Sequence, residues 1–125
     1  MRPDGERQSF LQALVNAGRG FAFGVRHERN VQIDCAFAAF AIALGCFFRI
    51  AAEQWLAVVV CIGMDLSVEL VNTALEALTD LASPEFHPLA GRAKDCAAGA
   101  CLVASACAFI VGVVIFAPRV LELFF

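Results

Sequence analysis

Charge is scarce in this chain: aspartate, glutamate, lysine and arginine together make up 17% of its 125 residues, while hydrophobic residues make up 61%. A water-soluble domain usually carries more charge and less apolar content, so the composition points to a chain whose surface faces lipid. A basic cluster with interleaved aromatics is also missing and the formal net charge is −3, so no nucleic-acid partner is expected. The sequence contains no GxxxxGK[ST] run, which excludes a P-loop. Cys35, Cys46, Cys61, Cys96, Cys101 and Cys107 form no CxxC pair and lie within or beside apolar stretches. They read as small apolar filler, because metal or disulfide frameworks need clustered, paired spacing. Residues 1–8 lead into an amphipathic pattern and lack the apolar heart of a signal peptide.

What is present reads as an all-α, membrane-embedded single domain. Residues 6–28 predict an amphipathic surface helix, with Phe10, Leu11, Leu14, Val15, Phe21, Ala22 and Val25 at helical spacing and Arg7, Gln12, Asn16, Arg19 and Arg26 on the other side. Such a helix suits the membrane interface. Three spans are expected at about 31–50, 55–81 and 96–117, each long enough to cross roughly 30 Å of hydrocarbon. Pro3, Pro84, Pro88 and Pro118 fall outside those bounds, where a missing backbone donor does no harm. Seven basic residues (Arg2, Arg7, Arg19, Arg26, Arg29, Arg92, Lys94) precede span one or lie between spans two and three, against Arg49 and Arg119 on the other side. That asymmetry places the N-terminus and the second loop in the cytoplasm. Ala100, Ala104, Ala108 and Gly112 form a ladder of small residues on span three, which permits close helix packing and favours an oligomer.

The anomaly is span two. Asp65, Glu69, Asn72, Glu76 and Asp80 are separated by four, three, four and four residues, so all five share one narrow helical stripe. A central aspartate costs roughly 2.5–3.5 kcal/mol on insertion scales, so a column of carboxylates needs a protected, watered or ion-filled setting. One account is a structural hydrogen-bonding seam or an ion pathway in a non-enzymatic membrane oligomer. The other is a phosphoryl-transfer site: magnesium bridges carboxylates to phosphates, and Arg92 and Lys94 at the start of span three offer cations, helped by the positive end of a helix dipole.

The run Glu69–Asp80 (ELVNTALEALTD) resembles the signature of the prokaryotic diacylglycerol kinase family, which includes undecaprenol kinase. The likeness extends in order to Ala17-Gly18-Arg19-Gly20, Glu28-Arg29-Asn30, Glu53-Gln54-Trp55, His87-Pro88-Leu89-Ala90 and Gly91-Arg92-Ala93-Lys94-Asp95. The resemblance implies a homotrimer with shared active sites, phosphorylating a lipid alcohol with ATP and Mg2+ in the bacterial cytoplasmic membrane. It implies Glu69 as general base at the lipid hydroxyl and Glu28 and Glu76 as holders of magnesium on ATP. Glu85, Phe86, His87, Lys94 and Asp95 would line the nucleotide site, Asn72 and Asp80 would order the constellation, and Trp55 and Ala98 would touch the lipid. The pairing of Glu28-Arg29-Asn30 with His87-Pro88-Leu89-Ala90 is most like the undecaprenol kinase branch, so undecaprenol is expected ahead of diacylglycerol. Two positions depart from the pattern. Ser9 and Gln12 stand where many relatives carry basic residues, and Asp34 stands where His or Glu is frequent; no role is assigned to them.

Overall fold

The computed structural model describes residues 7–125 and is helical throughout: α1 (Phe10–His27), α2 (Arg29–Phe48), α3 (Ala52–Ala82) and α4 (Pro88–Phe124). Arg2, Pro3 and the first residue of the expected surface helix lie outside the described residues. Each helix begins and ends for a local reason. Ser9 caps α1, its hydroxyl accepting from the Gln12 amide at 3.2 Å, and Arg26 and His27 sit at the negative end of the helix dipole. Glu28, in extended backbone, separates α1 from α2. The α2–α3 turn uses Arg49 in the left-handed region (φ 51°), and the Gln54 side chain accepts the Ala51 amide at 3.1 Å. Between α3 and α4, the Ser83 hydroxyl donates to the Glu85 carbonyl at 2.9 Å. His87 Nδ1 accepts from the Leu89 amide at 3.1 Å, with Pro88 in the first turn.

Three of these helices, α2, α3 and α4, are long and apolar enough to cross a membrane. Their bounds differ from those read in the sequence, most of all for α4. It begins at Pro88, so Arg92, Lys94 and Asp95 ride on its first turns, and it continues through Pro118 to Phe124. At 1.5 Å per residue its 37 residues extend about 55 Å, well beyond the hydrocarbon thickness. Pro118 cannot donate to the preceding turn. The carbonyl left without its helical donor is that of Val114, while Arg119 ties the same turn to its neighbours, its Nη1 donating to the Ile115 carbonyl at 2.8 Å and its Nη2 to Gln54 Oε1 at 2.9 Å.

Helix α3 is central, packed most extensively on α4, then on α2, with α1 touching it at one point. The two meet at Gly24, where an added Cβ would lie 2.7 Å from Leu70 Cδ2, so a larger residue there would push the Leu70 side chain aside. At the opposite end, Gly45 of α2 lies under the Trp55 indole, with ring carbons 2.6 and 2.8 Å from where a Cβ would stand. Beside this contact sits the core of Ile50, Val58, Ile115 and Phe116. Short turns at both ends make α2, α3 and α4 run alternately up and down. The Gly45–Trp55 contact therefore marks one end of the bundle, and Asp80 and Lys94 mark the other. Much apolar surface remains uncovered, including Phe37, Phe40, Leu102 and Phe109 on the long helices and Phe10, Leu11 and Leu14 on α1. A protein in water would cover patches of this size.

Candidate active site on helix α3

The stripe on α3 is a gradient of burial. Glu69 and Asn72 are buried, each 7% exposed; Asp65 and Thr73 are half-buried; Glu76 and Asp80 are exposed. Seven residues separate Glu69 from Glu76, about 10 Å along the axis. Asn72 lies between them and joins them: its Nδ2 approaches Glu69 Oε1 at 3.5 Å and Glu76 Oε1 at 3.4 Å. The Thr73 hydroxyl donates to the Glu69 carbonyl at 3.1 Å, tying its side chain back onto the helix. At the open end Lys94 of α4 forms an ion pair with Asp80. This pair is exposed to solvent and adds little to stability, but it sets a cation at the mouth of the column.

A buried carboxylate is costly unless charge and hydrogen bonds answer it. Glu69 receives one long hydrogen bond from an amide, and the Asn72 Oδ1 and Asp65 Oδ1 atoms are buried with no hydrogen-bond partner among the described residues. Orphaned acceptors on one face call for donors or cations from outside the chain. Among the described residues no group of three or more His, Cys, Asp or Glu side chains converges on a point where a metal could sit. This donor set fits magnesium that arrives on a nucleotide, since magnesium keeps water and phosphate oxygens and takes only one or two carboxylates from protein. Glu76, exposed and near the Asp80–Lys94 mouth, has that character.

The other expected site residues are placed as follows. Glu28 stands at the α1–α2 junction, one helical turn beyond the Gly24–Leu70 contact, its amide bonded to the Gly24 carbonyl at 2.9 Å. Glu85, Phe86 and His87 form the exposed loop before α4, with His87 engaged as the helix cap. Asp95 and Ala98 are exposed on the early turns of α4. Trp55 is not brought to the carboxylates. It lies fourteen residues from Glu69 on the same helix, about 21 Å away, packed on Gly45.

Two further residues flank the column. Asp34 of α2 shares with Asp65 a cavity of about 810 Å³ between α2, α3 and α4, lined also by Ser105 and walled mostly by apolar side chains such as Phe37, Phe109 and Phe116. Cys101 of α4 directs its thiol to the Val68 carbonyl at 3.8 Å, beside the Glu69 turn. Cys101 follows Lys94 by seven residues, so helical periodicity alone puts both on the α4 face that meets α3.

A family model for prokaryotic diacylglycerol kinase matches residues 15–116. The chain belongs to that family. Its relatives include the undecaprenol kinase of Bacillus subtilis (strain 168), 39% identical over 114 residues that cover 91% of this chain and 93% of that one. The diacylglycerol kinase of Synechocystis sp. is 38% identical over 86% of this chain, which spans 61% of that protein. The diacylglycerol kinase of Escherichia coli (strain K12) is 31% identical over 75% of this chain and 77% of its own length. The prokaryotic diacylglycerol kinase assignment rests on more than the α3 stripe, because the matched region takes in most of α1, all of α2 and α3, and most of α4.

Proposed function

We infer that this chain is a lipid kinase that transfers the γ-phosphoryl group of ATP to undecaprenol, acting as a homotrimer in the bacterial cytoplasmic membrane. The observation that carries the reading is the Glu69–Asn72–Glu76 unit: a buried carboxylate joined through one amide to an exposed carboxylate beside a lysine-bearing helix. Phosphoryl transfer needs positioning, charge neutralisation and a base at the attacking oxygen. Glu69, about 10 Å deeper than Glu76, meets a hydroxyl presented from lipid. It accepts the hydroxyl proton as that oxygen attacks the γ-phosphorus and the bond to the ADP oxygen breaks. Bound magnesium supplies neutralisation of phosphate charge. Glu76 and Glu28 would hold it there, while Lys94, Asp95 and the Glu85–His87 loop would hold the nucleotide. Asn72 and Asp80 keep the carboxylates and Lys94 in place.

Several features support the assembly and its setting. Most of the basic residues belong to the end of the bundle that holds Glu76, Asp80 and Lys94, which supports a site at the cytoplasmic face. The acid-free, partly uncovered α1 suits that same membrane surface. Three spanning helices with large uncovered apolar faces favour association with further copies, and native mass spectrometry in detergent is expected to count three chains.

The substrate preference rests on likeness to the Bacillus subtilis undecaprenol kinase along nearly the full length of both chains. Diacylglycerol is the second reading, favoured by the several relatives named diacylglycerol kinase. Both lipids offer a primary hydroxyl that Glu69 treats alike, so the neighbouring groove must choose between them. Undecaprenol and diacylglycerol presented together in mixed micelles with labelled ATP decide the matter. Faster transfer to undecaprenol is expected. A preference for diacylglycerol overturns the substrate, and transfer to neither by folded protein overturns the kinase reading.

A further inference from the structure

Asn72 carries more than the static ordering assigned to it above. Its one carboxamide nitrogen serves two carboxylates at nearly equal, long distances, 3.5 Å to Glu69 and 3.4 Å to Glu76. Its oxygen is buried and has no partner among the described residues, and the residue is only 7% exposed, so water competes little for the amide. The nitrogen carries two N–H donors and can serve both carboxylates at once, but bonds of these lengths are weak, and the nitrogen can approach one carboxylate only by drawing away from the other. The two acceptors differ in one respect that matters: Glu76 is open to solvent and Glu69 is not.

We propose that Asn72 couples nucleotide arrival to the orientation of the base, releasing Glu76 to the incoming magnesium–nucleotide and turning its amide wholly to Glu69. The proposal rests on the lipid-kinase reading and adds to it an order of events. An oxygen of Glu76 that faces a cation no longer faces the amide. Asn72 then holds Glu69 Oε1 in one orientation and leaves Oε2 for the lipid hydroxyl. Without nucleotide the amide is divided, and Glu69 is held loosely. Because coupling free energy is reciprocal, the Glu69 carboxylate in turn assists nucleotide binding by drawing the amide away from Glu76. Asn72 acts through its neighbours, so it is a positioning residue.

A double-mutant cycle on binding, not turnover, tests this. The dissociation constant of magnesium with a non-hydrolysable ATP analogue is measured for the wild type, Glu69→Gln, Asn72→Ala and the double variant. Glu69→Gln removes a negative charge and also weakens the pull on the amide, because a carboxamide oxygen is a poorer acceptor than a carboxylate. The charge effect persists without Asn72, whereas the pull does not. The expected result is a coupling of about two- to fivefold between the two positions; effects that multiply to within 1.5-fold overturn the proposal. If Asn72→Ala does not fold, Asn72→Ser serves in its place, since it too lacks the amide. A second measurement needs no change at Asn72: the Glu69 carboxylate stretching band, identified by subtracting the Glu69→Gln spectrum, is expected to move when the magnesium–analogue complex binds. A band that stays fixed while binding is demonstrated overturns the coupling and leaves the kinase reading standing. Absence of nucleotide binding by the wild type instead removes the reading beneath it.

Discussion

Replacing Glu69 by glutamine separates catalysis from stability. Glu69 is buried, and among the described residues the hydrogen bond its carboxylate accepts is the 3.5 Å contact from Asn72. Glutamine keeps the volume and one acceptor and discards the charge. Loss of a general base costs a rate factor of about 10²–10⁴, equal to about 3–5 kcal/mol of barrier. The fold gains, because an under-satisfied buried charge is worth about 1–3 kcal/mol when removed. For a chain of this length that corresponds to a rise of roughly 4–10 °C in the melting midpoint. The assay is paired: initial rates with saturating ATP and lipid, and a thermal scan of the same preparation without nucleotide. Nucleotide affinity stays within about fivefold, since the variant alters only the charge about 10 Å from Glu76 and the small coupling through Asn72. A variant that loses activity and melts lower refutes the argument, because Glu69 is then a structural member of the seam.

Glu76→Gln is expected to weaken binding of the magnesium–nucleotide complex by at least about tenfold, by calorimetric titration, because it removes one of the few carboxylates the metal can use; unchanged affinity removes that role. Lys94→Ala is expected to weaken nucleotide binding about five- to tenfold through loss of a phosphate partner, while Lys94→Arg retains most of it; equal loss in both points to a packing role. Chains carrying Glu69→Gln and chains carrying Glu76→Gln restore no activity when mixed, because one Asn72 joins both residues on a single helix; recovered turnover in verified mixed assemblies contradicts a unit built in one chain. Gly45→Ala sets a methyl against Trp55 and lowers stability by about 1–3 kcal/mol; a melting temperature equal to wild type shows that the indole is free to move.

The α3 stripe was legible because a helical period acts on every residue alike, so spacing alone put Asp65, Glu69, Asn72, Glu76 and Asp80 on one face. Their division into buried and exposed members was not, since burial is conferred by α4 and α1 from distant parts of the chain. The helix that carries the third expected span begins earlier, at Pro88, than the span at about 96–117. Arg92, Lys94 and Asp95 lower local hydropathy, yet His87 followed by Pro88 is a cap and first turn that the sequence displays. Pro118 lies beyond the third expected span, yet α4 runs through it, and no local pattern announces that Arg119 folds back onto the Ile115 carbonyl and reaches Gln54. Trp55 is a lipid contact only by what the resemblance implies. Only the fold shows it packed on Gly45, about 21 Å along α3 from Glu69. Asp34 and Asp65 share a cavity through tertiary structure alone.

That cavity gives a last test of how the column is tolerated. Asp65 is thirteen residues from the start of α3 and seventeen from its end, hence near the middle of the helix, and its Oδ1 has no partner among the described residues. Further copies of the chain cannot supply a basic one at that depth, because no lysine or arginine occurs between Arg29 and Arg49, between Arg49 and Arg92, or between Lys94 and Arg119. An association of chains therefore brings more apolar surface and more carboxylates to Asp65, never a countercharge. On insertion scales an aspartate and a leucine at a helix centre differ by about 3 kcal/mol. Half-burial of Asp65 and its share of the open cavity reduce this to about 1–2 kcal/mol. Asp65→Leu is thus expected to raise the melting midpoint by roughly 3–8 °C, read by thermal scanning of the assembled protein in detergent with subunit number checked alongside. A lower midpoint with intact assembly means that Asp65 is answered by a donor within the oligomer, and the reasoning from missing basic residues fails.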